Sequence, residues 1–387
     1  MNSPTHSAFN SLLLPEPVML RTSIFPSRYV QGAGALDSLD AELARLGTHA
    51  ACLVDSNVAA LLEPSLSKAE RVKLAVRSVD AACTERSVAA AAAWIRESGA
   101  DIVVSFGGGK VVDTGRAAAD DLRLPFVCVP TIAASDAPCS ALAVIYDEEG
   151  RVVRDRFVRR NPDLVLLDTS LIVRAPVRFF IAGIGDALAT FYEADACRRA
   201  YARNLCGGRG TALAFEAAKL CRDTLFAHAV QAVDDCRAQI VTPDFDATLE
   251  ATVLLSGIGF ESGGVAAAHA IHHGLADLPS SHGLLHGEKV AIGVLASLFL
   301  SAVPDDERAR VFRFCRAVGL PTRLAQINVD ASDEAALGTV AKRACRAGEI
   351  IHNEPYPVDA PLVVAALKAM DRYAARFDQT SKGETTS

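Results

Sequence analysis

No apolar run in this 387-residue chain reaches the roughly 18 residues that a membrane-spanning helix needs, so no such span is expected. A surplus of positive charge is missing too. The formal net charge is -7, which argues against a general nucleic-acid binder and against adhesion to anionic membranes. Ten cysteines are scattered from Cys52 to Cys345 without one C-x-x-C pair. That scatter fits reduced thiols in a cytoplasmic protein better than a disulfide framework or a zinc ribbon. No lysine or arginine precedes the short apolar patch Leu12-Leu13-Leu14, so the first twenty residues do not read as a secretory signal. Residues 1–22 are expected to form a loose extension. There is no internal repeat, and the alanine run Ala89 to Ala93 is the one low-complexity tract.

What is present fits a soluble globular protein. Half the residues are hydrophobic and 22% are charged, and the length suggests two domains. Short apolar runs alternate with helix-like stretches between residues 49 and 181. His49 to Val54, Val72 to Val76, Asp101 to Phe106, Phe126 to Val129 and Leu164 to Leu167 read as strands. Asn57 to Leu62, Ser87 to Glu97 and Val111 to Asp121 read as helices. The turn Asp147-Glu148-Glu149-Gly150 predicts a hairpin between Leu142–Tyr146 and Arg151–Val153. Such alternation implies a parallel sheet covered on both faces. Beyond Pro176 the strand signals fade. Thr211 to Ala229, Phe245 to Leu255, Val290 to Ser301 and Glu307 to Val318 carry helical spacing. The expected division is an α/β domain over residues 23–180 and an all-helical domain over residues 181–387.

Four stretches carry chemistry. In the first, the strand ending at Phe106 feeds Gly107-Gly108-Gly109-Lys110, and a helix follows. Glycines let backbone approach an anion, and a helix N-terminus offers free N–H groups and a favourable dipole. The turn is not a P-loop, because Val111 stands where Ser or Thr should follow the lysine. Nor is it G-x-G-x-x-G, since Val112 occupies the third glycine position. The second is Asp55, at the end of a strand, where a carboxylate can bind a ribose and would repel a 2′-phosphate; this suggests NAD rather than NADP. A turn or cap role is the plainer alternative for Asp55. The third is the small, polar loop Pro130 to Ser140, which offers Thr131, Asp136 and Ser140 where ligands meet an open α/β sheet.

The fourth joins two distant segments. Five of the nine histidines, His269, His272, His273, His282 and His286, fall within residues 257–289. Asp186, in Gly183-Ile184-Gly185-Asp186, is expected at the start of a helix, where an N-cap role is the plain reading. One carboxylate and two imidazoles also make a common three-ligand catalytic metal set. Spacing leaves open which two histidines would join Asp186.

Several motifs together resemble a known family. They are Tyr29-Val30-Gln31-Gly32-Ala33, the Gly107–Thr114 turn, the Thr131–Ser140 loop, Gly183–Thr190, Glu261–His269 and His286-Gly287-Glu288-Lys289-Val290. In order, they resemble the zinc-dependent, NAD-linked glycerol dehydrogenase branch of the iron-containing alcohol dehydrogenases, from about residue 23 to about 376. The resemblance implies a dehydroquinate synthase-like fold and metal ligands at Asp186, His269 and His286. Thr190 stands where iron-binding relatives carry a further histidine, which implies Zn²⁺. Nucleotide contacts are implied at Asp55, Gly107, Gly108, Thr131, Ser140, Leu142 and Tyr146, beside Gly109 and Lys110 of the glycine turn. Asp136 and Phe260 are implied in a polyol pocket, with Asp136 placed to act in catalysis. The implied reaction is oxidation of glycerol or a related vicinal diol, by a homo-oligomer that is often an octamer in this family. Ala134 and Ser135 replace a frequent Ser and Thr, His273 a frequent Asn, and Gly283-Leu284-Leu285 a stretch that usually holds a second His and a Tyr. A phosphorylated substrate would call for a basic cluster, yet Lys289 is the single Lys or Arg between residues 257 and 289.

Overall fold

The computed structural model describes residues 20–301 and 303–384. The extension expected at residues 1–22 therefore lies mostly outside the described residues. Where the description begins, Arg21 forms an isolated bridge with Arg209.

Eight strands form: β1 (Tyr29–Gly32), β2 (His49–Asp55), β3 (Lys73–Val79), β4 (Ile102–Gly107), β5 (Phe126–Pro130), β6 (Leu142–Tyr146), β7 (Val152–Phe157) and β8 (Leu164–Asp168). Six of them make one sheet in the order β1-β8-β5-β4-β2-β3, and every neighbouring pair is parallel. β4, β5 and β8 are buried along their whole length because helices cover both faces, which is why they read as unbroken apolar runs. β3 lies at an edge, and its exposed Lys73 and Arg77 blunt that edge. The expected hairpin forms as β6 and β7, an antiparallel pair apart from the main sheet.

Strand order reverses between β2 and β4. From β2 the chain steps outward to β3, then crosses back to β4 and continues to β5 and β8. Val54 pairs with Phe106 at the ends of these strands, so Asp55 and Gly107 leave the sheet side by side. A crevice outside such a reversal is where open α/β sheets bind ligands.

From Val177 onward the chain is helical. The main helices are Val177–Ala200, Ala212–Ala238, Pro243–Glu250 with its continuation to Gly263, Ala267–Ala276, His286–Ser297, Asp305–Val318, Glu334–Ala344 and Ala360–Glu384. One apolar cluster joins them to the sheet, running from Ala51, Leu53, Val103 and Cys128 through Phe180 and Ile184 to Ile271 and Val290. Residues of opposite parity on the strands, such as Cys52, Val104 and Val127, form a second cluster on the other face of the sheet.

Asp186 does not begin a helix. It is the tenth residue of Val177–Ala200, whose N-cap position is Pro176. The glycines at 183 and 185 mimic a helix start, but every residue from Ala182 to Thr190 is buried, so packing and not propensity places them. The helix ending at Gly263 and the helix Ala267–Ala276 meet at a bend of 99°. Gly264 makes that bend with φ +110°, a conformation that side chains resist, and a Cβ there would lie 2.8 Å from the Cys197 sulfur.

Candidate active site

Three helices bring a carboxylate and two imidazoles together. Asp186 comes from Val177–Ala200, His269 from Ala267–Ala276, and His286 from the first position of His286–Ser297. One ligand atom from each falls within 4.8 Å of the others. His286 Nε2 lies 3.0 Å from Asp186 Oδ1, and His269 Nε2 lies 3.4 Å from the same oxygen. Burial opposes charge on Asp186, but the His286 and His269 rings beside it win and hold its carboxyl well below the usual carboxylate range. Two nitrogens and one oxygen, converging with charge on the oxygen, suit a divalent cation.

The outward nitrogens of both rings have partners as well. His269 Nδ1 is 2.6 Å from Glu193 Oε2. A carboxylate only accepts, so Nδ1 carries the proton and Nε2 is left to face the cluster. Glu193 Oε1 accepts from the backbone N–H groups of Ala266 and His269, each at 2.9 Å. Burial works against charge on His269, yet Glu193 and Asp186 outweigh it and raise its pKa well above the ordinary value. His286 Nδ1 lies 3.0 Å from His272 Nε2. Burial, with His286 and His273 nearby, pushes His272 well below the ordinary histidine range, so it is a neutral partner. His272 therefore supports a member of the set, a role that neither spacing nor the family resemblance assigned to it. Glu193 was missed altogether. Its signal was its place seven residues after Asp186, two turns along one helix face.

Asp136 reaches this cluster from the sheet side. Its backbone N–H donates to Asp186 Oδ2 at 3.3 Å, and its Oδ2 accepts from Ser256 Oγ at 2.7 Å. The Ser256 hydroxyl is also 2.8 Å from Thr190 Oγ1. Burial, and then the charge of Asp186, push the Asp136 carboxyl well above the usual range. Ser256 follows a wide helical turn, Ala251–Leu255, of the kind that often marks functional sites. Phe260 lies on the next turn, its ring centroid 5.9 Å from that of His269.

The nucleotide candidates line the other wall. Gly107 ends β4, Gly108 precedes the helix Gly109–Leu122, and the free N–H groups of that helix face the strand reversal. A cleft opens here, bordered by Gly107, Gly109, Pro130, Ile132 and Ala134. Asp55 Oδ1 accepts from the backbone and side chain of Asn57 at 3.0 and 2.8 Å. Thr131 N–H donates to Gly107 O at 3.1 Å, closing the gap between β4 and β5. Lys110 Nζ stands 4.8 Å from the Tyr146 ring centroid, a cation–π contact. Ser140 Oγ donates to Ala137 O at 3.2 Å, so its hydroxyl serves its own loop. Leu142 begins β6.

The model of the iron-containing alcohol dehydrogenase family matches residues 26–169. A glycerol dehydrogenase of Thermotoga maritima is 48% identical, over 92% of this chain and 98% of its own length. One of Pseudomonas putida is 41% identical, over 91% and 97%. The crystal structure of a probable glycerol dehydrogenase from Sinorhizobium meliloti superposes with a TM-score of 0.87 at 39% identity, covering 92% of this chain and 100% of that one. A sheet with its order reversed at a cleft, a carboxylate–imidazole cluster across from it, and this degree of likeness along the chain agree: the chain belongs to the iron-containing alcohol dehydrogenase family, in the branch that holds the glycerol dehydrogenases.

Proposed function

We propose that the protein oxidises glycerol, or a closely related vicinal diol, to the hydroxyketone, dihydroxyacetone from glycerol, with NAD as oxidant. The observation that carries this reading is the convergence of Asp186, His269 and His286 beside Asp136, across a cleft from the Gly107–Lys110 turn. Asp186, His269 and His286 would hold Zn²⁺, which would supply Lewis acidity toward a substrate hydroxyl, and NAD in the cleft would supply the hydride acceptor while the hydroxyl proton passes to solvent.

The chain's own residues bind and orient. Backbone N–H groups at the start of Gly109–Leu122, with Gly107, Gly108 and Lys110, take the pyrophosphate. Asp55 takes the ribose and turns away a 2′-phosphate. Thr131, Ser140, Leu142 and Tyr146 wall the nicotinamide side. With Oδ2 of Asp136 accepting from Ser256, the other carboxyl oxygen is assigned to a substrate hydroxyl, which fixes the polyol against hydride transfer. Phe260 closes the pocket on its apolar side. We take residues 23–180 as the nucleotide-binding unit and residues 181–387 as the metal- and substrate-binding unit. The free thiols of the ten cysteines are in keeping with a reducing, cytoplasmic setting, and the working form is taken as a homo-oligomer.

Purified protein mixed with NAD and glycerol, or 1,2-propanediol, should form NADH. Chelation should stop the reaction, and Zn²⁺ should restore it. No NADH from any vicinal diol, in the presence of added zinc, would overturn the reading.

A further inference from the structure

The segment from Asp136 to Val144 carries the substrate carboxylate at one end and the nucleotide wall at the other. Only its last residues belong to a strand, and that strand pairs with the small hairpin alone. Several polar backbone atoms of this segment are met by buried charged or amide side chains from two sides. On one side stands Arg116, on the helix that follows the glycine turn, with 1% of its side chain exposed. Its Nη1 donates to Leu142 O at 2.6 Å, and its Nη2 donates to Ala137 O at 2.6 Å and to Pro138 O at 3.5 Å. Nη1 also donates to Asp113 Oδ1 at 2.5 Å, and the other oxygen of Asp113 accepts from Val144 N–H at 3.0 Å. On the opposite side, Glu261 Oε1 accepts from Ala141 N–H at 2.7 Å. Asn161 Nδ2 donates to Cys139 O at 2.8 Å and to Glu261 Oε2 at 2.5 Å.

We infer that Arg116 with Asp113, and Glu261 with Asn161, form a two-sided buried clamp that fixes the Asp136–Val144 segment, so that the substrate carboxylate and the nucleotide wall move as one rigid piece. The energetics favour a positioning role over a stabilising one. Taking a guanidinium and two carboxylates out of water is costly, and apolar side chains of the same volume would stabilise a core as well or better. Apolar packing cannot hold carbonyl and amide groups at chosen points, whereas the planar fork of Arg116 bridges Ala137 O and Leu142 O, five residues apart. Glu261 adjoins Phe260, so the clamp ties the segment to the helix that lines the substrate pocket. Among the described residues, none of the four forms a hydrogen bond or ion pair with Asp186, His269 or His286, which makes them positioning residues.

The role in catalysis rests on the polyol dehydrogenase reading, but the clamp itself can be tested apart from it. In the full-length, zinc-loaded protein, amide exchange measured over residues 136–146 should speed up about tenfold or more in Arg116→Met, while zinc content stays that of the wild type. In steady-state kinetics, KM for NAD and KM for glycerol should both rise and kcat should fall, with kcat/KM lower on the order of 10²-fold. Arg116→Lys should not restore these constants, because an ammonium cannot span the two carbonyls as a fork does. Should Arg116→Met fail to fold, Asp113→Asn and Glu261→Gln carry the same test with smaller expected losses. Wild-type exchange rates and wild-type KM values in the folded variants would overturn the clamp. A wild-type protein that turns over no diol would overturn the reaction reading instead and leave the exchange result to decide the clamp.

Discussion

The two walls of the site are made of different material. On the sheet side, most of the groups that face the cleft belong to the backbone or to residues at strand ends: Gly107 at the end of β4, the first N–H groups of Gly109–Leu122, and Thr131 after β5. On the helical side they are side chains, drawn from the middle of one helix and the first turns of two others. A parallel sheet makes neighbours of its strand ends as soon as strand order is set, so the nucleotide wall follows from topology. The metal wall has no such rule behind it. Asp186 and His286 are 100 residues apart, and only the crossing of buried helices closes that gap. On the proposed reading, loss of one side chain should therefore be severe on the helical wall, where each ligand would be irreplaceable, and milder on the sheet wall, where backbone would carry the binding.

The comparison is sharpest at Asp186. Asp186→Asn keeps the shape and removes the charge toward which both imidazoles converge. Zinc content should fall to near zero, and kcat/KM should drop by about 10³-fold or more, since a catalytic metal supplies several kcal/mol. Full metal content with full turnover would mean that Asp186 is not a ligand.

Next in size is an effect on stability. Burial pushes the Glu354 carboxyl from an ordinary 4.5 up to about 7, against its hydrogen bonds with Tyr356 and Ala267 N–H. The folded chain thus keeps a proton that the unfolded chain releases from about pH 4.5 upward. Its contribution is full below pH 4.5 and is lost as the pH rises through 7, on the order of 3 kcal/mol in all. Glu354→Gln retains an acceptor for Ala267 and does not titrate. Urea unfolding from pH 4 to pH 8 should show the wild type losing stability relative to the variant. Parallel curves across that range would refute the assignment.

These differences also explain what could be read before the fold was in hand. Strands β2, β4, β5 and β8 were legible because both faces are buried and each is a short β-branched or apolar run ending in glycine, proline or aspartate. β1 has only four half-buried residues and carries no such pattern. The start of Val177–Ala200 was misread because its middle, Ala182 to Thr190, is buried around its circumference and shows no polar stripe to mark its phase. The candidate metal set came from resemblance, since spacing left five histidines to choose from. Ser256, Arg116 and Glu261 were silent, and Glu193 showed no more than its helical spacing from Asp186. Each acts through a partner far along the chain, and a buried carboxylate or guanidinium in a helix looks like any surface charge until its partner is known.

Glu193 tests whether the helical wall depends on its supports as much as on its ligands. It fixes the His269 ring and accepts two backbone N–H groups at the start of Ala267–Ala276, a helix whose own N-cap, Ala266, offers no side-chain acceptor. Glu193→Gln should weaken zinc about 10- to 100-fold in a competition with a coloured chelator, with little change in NAD affinity. An unchanged zinc affinity would reduce Glu193 to a helix cap.

The smallest expected effect lies where the two walls touch. Gly183 is one turn before Asp186, and a Cβ built on it would stand 2.3 Å from the carbonyl oxygen of Ala133 in the loop that leads to Asp136. The missing side chain is thus what lets the helix of Asp186 abut the cleft loop and bring Asp136 N–H within 3.3 Å of Asp186. Gly183→Ala adds helix propensity and removes that approach. Overpacking should win, because the obstructing atom is backbone, with a net loss of about 1 to 2 kcal/mol in unfolding free energy. The Asp136–Asp186 contact should lengthen, and KM for the diol should rise more than KM for NAD, since the loop is pushed from its substrate end. A variant as stable as the wild type, with both KM values unchanged, would show that the walls meet loosely and that their alignment depends on something other than this contact.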